Sequence, residues 1–319
     1  YCSFVSYTSK KLLATIPDYL IALGDEINKT FSLIRELGLR VKTVYIGGGT
    51  PTILDEIQLD WLLSTVEKNI DVSTLSEYTL EAGRPDTITE GKMRTARAHG
   101  VTRISVNPQT LNDDVLKIIG RSHTAEDFLR AYDIARNSGI KIINTDVIAG
   151  LPGDKFSSFA ASYDKIVSLK PENITVHTFS VKKASDFLKN SSHIYSIRGG
   201  DVGKCVDYSQ ITAQHEGYQP YYMYRQKNTV GNYENVGFAL DGYKGLYNIY
   251  MMEEIHSIFA CGAGAVSKFV DYLPSGGSPR TIERFFNPKY PYEYLSDNKT
   301  EQKIEAAREF YTRRNLIKG

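Results

Sequence analysis

Residues 41–52 read VKTVYIGGGTPT, a β-branched run that ends on Gly47, Gly48 and Gly49. The run predicts a strand over residues 41–46. The glycines then place a turn without Cβ atoms at the strand's carboxyl end, where backbone amides and carbonyls lie open to a ligand. The stretch is neither G-x-G-x-x-G nor a Walker lysine loop, so dinucleotide and phosphate readings lack their partner residues. Taken alone, three glycines are equally a tight strand-to-helix turn, and the flanking sequence has to decide.

Upstream, residues 17–37 carry helical apolar spacing through Leu20, Leu23, Ile27, Phe31 and Ile34, with Gly38 at the expected stop. Downstream, Asp55 opens a helix through Trp61, Leu62 and Val66. The stretches 76–83, 102–108, 140–153 and 173–181 then read as strands, separated by amphipathic stretches at 87–100, 125–139 and 156–171. Strands alternating with helices at this spacing predict an α/β fold with right-handed crossovers and a parallel sheet, either open or curled into a full or partial barrel. After residue 181 tyrosines and turn residues take over, with an aromatic strand at 221–225 and a Gly231-Asn232 turn. A smaller α+β extension packed on the sheet is expected there. Residues 300–315 predict a charged amphipathic helix.

Composition narrows the partners. With 38 basic and 37 acidic residues the chain has no electrostatic footprint for nucleic acid or an anionic membrane. No apolar run approaches the roughly 18 residues needed to span a bilayer, and no leader precedes the first helix, so a soluble, cytoplasmic protein is expected. Cys2, Cys205 and Cys261 are odd in number and far apart, which fits a reducing compartment better than a disulfide framework.

Polar residues recur at the carboxyl ends of the predicted strands: Glu81, Asn107 with Gln109, Asp146, and His177 with Thr178. Parallel strands are usually apolar on both faces, so each is either a satisfied interior hydrogen bonder or part of a polar rim, which is where such scaffolds place their sites. Arg121 adds a fixed cation, or is a surface arginine at a helix end.

The segments YCSF (1–4), IGGGTPT (46–52), LEAGRPD (80–86), RISVNPQT (103–110), GRSH (120–123) and DVIAGLPGD (146–154) occur in this order. Together they resemble the radical S-adenosylmethionine enzymes of the oxygen-independent coproporphyrinogen III oxidase group. PYYMYRQKN (220–228) and GNYENVGFA (231–239) are similar to its coproporphyrinogen-dehydrogenase-like branch, and the resemblance continues through CGAGAVSKF (261–269). It implies a partial (β/α)6 barrel over 1–180 and a substrate-covering α+β extension over 181–319.

It also implies the cofactors, a 4Fe-4S cluster and S-adenosyl-L-methionine. In the family a C-x-x-x-C-x-Y/F-C loop holds the cluster, so Cys2 matches the third cluster ligand and Tyr1 the aromatic beside the adenine. Gly48, Gly49 and Thr50 match the stretch meeting the methionine end. Glu81 matches a carboxylate near the methionine or ribose, Gln109 and Arg121 match polar groups at the ribose and carboxylate, Asp146 matches a further contact, and Phe179 matches a backbone position near the adenine. Two more cluster cysteines, about seven and three residues before Cys2, and a first barrel strand are expected upstream of Tyr1. The given residues, supplying one thiolate there, are expected to be inactive alone. Cys205 and Cys261 read as buried structural thiols.

The implied activity is oxidative decarboxylation of coproporphyrinogen III to protoporphyrinogen IX by a 5'-deoxyadenosyl radical, with electrons from a donor such as flavodoxin or ferredoxin. Tyr222, Tyr224, Arg225 and Lys227 would stack on a tetrapyrrole and pair with its propionates, or else form an ordinary aromatic strand; Lys182 and Lys183 are similar candidates. The alternatives are a haem-modifying radical methyltransferase and a non-catalytic haem-binding chaperone of the same family.

Overall fold

The computed structural model describes residues 13–180, 199–226, 229–271 and 281–313. Tyr1, Cys2, Lys182, Lys183 and Lys227 lie outside the described residues.

Helix α1 (Ile16–Glu36) carries Pro17 in its first turn and buries the stripe Leu20, Ile27, Leu33 and Ile34. Gly38, at φ +63°, ends it with an N–H bonded to the Arg35 carbonyl at 3.0 Å, the left-handed stop that glycine supplies without a Cβ penalty. Strand β1 (Thr43–Ile46) runs into the glycine turn. Helix α2 (Glu56–Glu67) begins at a capping box in which Asp55 Oδ1 accepts from Gln58 N at 2.8 Å and Gln58 Oε1 accepts from Asp55 N at 3.2 Å.

The alternation continues through β2 (Glu77–Glu81), α3 (Glu90–Ala98) and β3 (Arg103–Ser105). The six-residue helix α4 (Asp113–Ile118) follows, too short for its periodicity to show in the sequence. Helix α5 (Ala125–Asn137), β4 (Ile142–Ala149), α6 (Phe156–Ser168) and β5 (Asn173–Thr178) complete the parallel part.

Strands β1 to β5 pair in sequence order and parallel, as the alternation predicts. The aromatic strand β6 (Gln219–Tyr224), reached through helix α7 (Gly199–His215), and β7 (Asn235–Ala239) follow. Rather than packing on the sheet, they extend it, antiparallel, in the order β1-β2-β3-β4-β5-β7-β6. The result is an open, curled seven-stranded half-barrel with an α+β extension.

The sheet's two faces differ. Tyr78, Leu80, Ile104, Val106, Ile143 and Ile174 point outward and are buried beneath the helices in one apolar cluster. Full burial of such a side chain contributes about 1.5–3 kcal/mol. The alternate residues Thr79, Glu81, Ser105, Asn144, Asp146 and Thr175 point inward.

Among the described residues the half-barrel's edge strands are β1 and β6, and helix α8 (Leu246–Glu253) bridges them. Tyr247 stacks on Tyr45 of β1 with ring centroids 4.1 Å apart, and Asn248 Nδ2 donates to Tyr221 OH of β6 at 3.3 Å. The start of α8 is held from the barrel floor. Glu77 accepts the backbone N–H groups of Leu246 (2.8 Å) and Tyr247 (3.2 Å), satisfying donors that a helix start leaves without intrahelical partners. Arg103 Nε donates to Glu77 at 3.1 Å, and its other nitrogens donate to Asn173 and to the carbonyls of Tyr243 and Lys244.

The rest of the extension comprises the hairpin β8 (Val266–Asp271) and β9 (Thr281–Phe286), α9 (Pro291–Ser296) and α10 (Thr300–Arg313), the predicted carboxyl-terminal helix. The helix packs Ile304, Ala307 and Phe310 against Leu33, Leu37 and Phe269. Beside this contact lies a second buried ion pair, Lys303 Nζ to Glu26 Oε1 at 2.6 Å. Glu26 also accepts from Asn287 Nδ2, Tyr294 OH and Gly262 N, so each oxygen is satisfied.

Candidate functional site

The inward residues and α8 enclose a cavity of about 220 Å³. Its floor carries Glu77 and Arg103, its walls Thr79, Ser105, Asn144 and Thr175, and its upper part Glu81, Asp146 and His177. Tyr45, Tyr221, Tyr222, Tyr224 and Tyr247 supply aromatic surface, and Met251 and Met252 of α8 complete the lining.

Glu81 sits at the end of β2 beside the glycine turn. Its Oε2 accepts from Gly48 N at 3.1 Å, and its Oε1 accepts from the Tyr45 hydroxyl. A Cβ placed on Gly47 would lie 2.5 Å from the Tyr45 ring and 2.9 Å from the Glu81 carboxyl carbon, so any side chain there would displace the Tyr45–Glu81 pair. Gly48, at φ +116°, adopts a conformation closed to other residues. Gly48 and Gly49 are exposed, and Thr50 Oγ1 donates to the Gly49 carbonyl at 2.6 Å. The sequence motif is thus a cradle bare of side chains beside a fixed carboxylate. Burial pushes the Glu81 carboxyl up; the Tyr45 hydroxyl opposes this, Asp146 adds to it, and Gly48 opposes it again.

Asp146 Oδ1 accepts from Asn144 Nδ2 at 2.8 Å, and its Oδ2 lies 3.5 Å from His177 Nε2. His177 Nδ1 meets the Tyr224 hydroxyl at 3.3 Å. Burial raises the Tyr224 phenol to about 12, so it stays protonated at neutral pH.

Among the residues singled out from sequence, Glu81, Asp146, His177, Tyr222 and Tyr224 come together in this cavity. Gln109, Arg121 and Phe179 lie outside its lining. Gln109 is buried at φ +68°, its backbone bridging to β4 through Asp146 O and Ile148 N. Such a left-handed conformation costs a non-glycine residue of order 1–3 kcal/mol and clusters at functional positions. Asn107 Oδ1 accepts from Asp146 N at 3.1 Å, the satisfied interior role. Phe179 packs with Val115, Leu116 and Ile148, and its backbone N–H and carbonyl bond Ala149 O and Val230 N at 2.9 Å. Arg225 is half-exposed and paired with Glu234. Cys205 is buried in α7, where burial raises its thiol to about 12. Cys261 lies beside Lys303 and Thr30, its thiol likewise raised by burial.

Tyr45, Tyr221, Tyr247, Arg103 and the two methionines also line the cavity, without being among the residues singled out from sequence. Tyr221 should face away from Tyr222, but the register shift between Pro220 and Tyr222 sets two residues of β6 against Gly237 and turns both rings inward. Inward period-2 placement would have found Tyr45 and Arg103. Nothing in the sequence marks α8 as a wall of the barrel.

The family model described as the Radical SAM superfamily matches residues 1–166. The chain is 39% identical over 309 residues to the oxygen-independent coproporphyrinogen-III oxidase-like protein HemZ of Bacillus subtilis (strain 168), a match covering 96% of this chain and 60% of that protein. It is 28% identical over 307 residues to the heme chaperone HemW of the same organism, covering 96% of this chain and 77% of that one. Among solved structures, coproporphyrinogen III oxidase (HemN) from Escherichia coli superposes with a TM-score of 0.66 at 20% identity, over 95% of this chain and 66% of that chain, a likeness of fold.

Proposed function

The chain belongs to the radical SAM superfamily, as a relative of the coproporphyrinogen III oxidase-like subfamily, and from that premise we propose that it forms the cofactor barrel and substrate-facing extension of an enzyme that oxidatively decarboxylates coproporphyrinogen III. The division at residue 180 into cofactor and substrate parts is part of this reading. The observation that carries it is the glycine cradle with Glu81 fixed beside it.

The donor set fits the polar end of S-adenosylmethionine. Glu81 has both oxygens oriented and accepts from an ammonium or ribose hydroxyl, as does Asp146. Gly48, Gly49 and Thr50 allow close backbone approach, while Gln109, Arg121, Phe179 and Tyr1 supply the remaining contacts. Cys2 would provide one thiolate for a 4Fe-4S cluster; among the described residues no group of three or more His, Cys, Asp or Glu side chains is placed to hold a metal ion. When bound, cofactor and cluster supply one-electron chemistry and the hydrogen-abstracting group. The protein orients the substrate and excludes water. Tyr222 and Tyr224 present ring surface to a pyrrole, and Arg225 and Lys227 pair with its propionates. Each reacting propionate gives up a hydrogen atom, an electron and carbon dioxide, leaving a vinyl group, so a one-electron acceptor is required besides the reductant that primes the site. The described helices include none long and apolar enough to cross a membrane.

The likeness to a heme chaperone supports a second reading, haem binding without turnover. Full-length protein reconstituted with iron and sulfide under anaerobic conditions, then reduced, is expected to release 5'-deoxyadenosine and convert coproporphyrinogen. An intact cluster with no 5'-deoxyadenosine refutes the enzyme reading. Release of 5'-deoxyadenosine with modification of haem alone refutes the substrate.

A further inference from the structure

The contacts around Glu81 lead out of the glycine cradle into the carboxyl-terminal part of the chain. Each Glu81 oxygen holds one donor, Gly48 N–H or Tyr45 OH, and keeps a lone pair for a ligand. The Tyr45 ring lies on Tyr247, with 18° between the planes. Tyr247 is fixed in turn, because its own N–H and that of Leu246 both bond Glu77. Glu77 is locked by Arg103, and Arg103 grips the carbonyls of Tyr243 and Lys244. A continuous path therefore joins a buried ion pair on the barrel floor to the carboxylate at its rim, and it passes through the extension.

We propose that Tyr45, held in place by Tyr247, is a positioning residue that keeps Glu81 aimed and ionised, so that the segment 243–247 sets the affinity for S-adenosylmethionine. The inference rests on the cofactor reading above. A phenol can do this because it remains a donor: burial first, then the charge of Glu81, hold Tyr45 protonated. The groups facing Glu81 are Tyr45 from β1, Asp146 from β4, His177 from β5, Tyr222 and Tyr224 from β6 and Tyr247 from α8, above Glu77 and Arg103. Burial and Asp146 both favour the protonated carboxyl. Removing the Tyr45 hydroxyl leaves the Gly48 N–H as the donor that opposes them, and the carboxyl gains its proton at higher pH.

The test measures S-adenosylmethionine binding to reconstituted full-length protein by equilibrium dialysis as pH is lowered. It is paired with infrared titration of the Glu81 carboxyl band, assigned by difference against Glu81→Gln. Tyr45→Phe keeps the ring and its stack, and is expected to move both acid limbs upward by about one pH unit, the scale of a hydrogen bond to a charged group. Tyr247→Leu is expected to move them by less, and Tyr247→Phe, which keeps the ring, to restore them. Binding by the wild type with unmoved limbs in both Tyr45→Phe and Tyr247→Leu overturns the positioning role while leaving the cofactor reading intact. Absence of binding by the wild type at every pH overturns the cofactor reading and the inference with it.

Discussion

The outer and inner faces of the half-barrel are built from alternate residues of the same strands. The outer row, with Tyr78, Leu80, Ile104 and Ile174, is sealed under helices. The inner row, with Thr79, Glu81, Ser105, Asn144, Asp146 and Thr175, lines a cavity. Parallel strands usually bury apolar groups on both faces, so this asymmetry divides the labour: the outer face carries most of the burial energy, and the inner face is free to carry chemistry. The floor is the exception, because Glu77 and Arg103 face inward yet are fully paired and fix α8.

Substitutions at this floor pair should have the largest effect on stability. Glu77→Ala leaves Arg103 buried without its carboxylate, and is expected to destabilise by about 4 kcal/mol in denaturant unfolding, the usual cost of breaking a buried pair. A loss under about 1 kcal/mol would mean that the floor belongs functionally with the rest of the inner face. On the outer face, Ile104→Ala is expected to lose about 3 kcal/mol from lost burial and the cavity it leaves. At the inner rim, Glu81→Gln keeps both donors supplied with an acceptor and is expected to change stability by no more than about 1 kcal/mol, while S-adenosylmethionine binding falls at least tenfold. If rim and outer-face variants lost equal stability, the division would fail.

The smallest effect lies outside the barrel, at His99. Burial disfavours its charged ring, but Asp60 Oδ1 at 3.0 Å and Glu67 Oε2 at 2.6 Å together outweigh burial and raise its pKa above the ordinary 6.5. Stabilisation by this cross-link of α2 to α3 is therefore complete below pH 6.5 and is lost as pH rises through the raised folded value. Comparing His99→Gln with wild type by thermal unfolding should show a gap of roughly half a kcal/mol on the acidic side, the size of a partly exposed pair. The gap should close on the alkaline side. A gap that widens with pH would contradict the assignment.

Much of this architecture was legible in the sequence for identifiable reasons. Asp55, Gly38 and the apolar stripe of α1 are local signals: each acts through contacts within a few residues, so the helices could be bounded and the five parallel strands ordered. Glu81, Asp146, Tyr222 and Tyr224 could be picked out because polar or aromatic residues at strand ends violate the expected pattern. Tyr221 was hidden by a register shift that period-2 reasoning cannot see. The antiparallel insertion of β7 between β5 and β6 was hidden because strand order across a sheet depends on pairing partners distant in sequence.

The alternation of strands and helices, the glycine turn and the family resemblance are all written locally in the chain. Each follows from short-range preferences and from motifs whose residues adjoin. That α8 closes the gap between β1 and β6, that Tyr247 lies on Tyr45, and that Glu26 pairs with Lys303 emerges from the folded arrangement alone. The Tyr45–Tyr247 and Glu26–Lys303 contacts join residues more than two hundred positions apart. They form only where a buried polar group finds its partner, and a buried group's need for a partner does not name which distant residue will meet it.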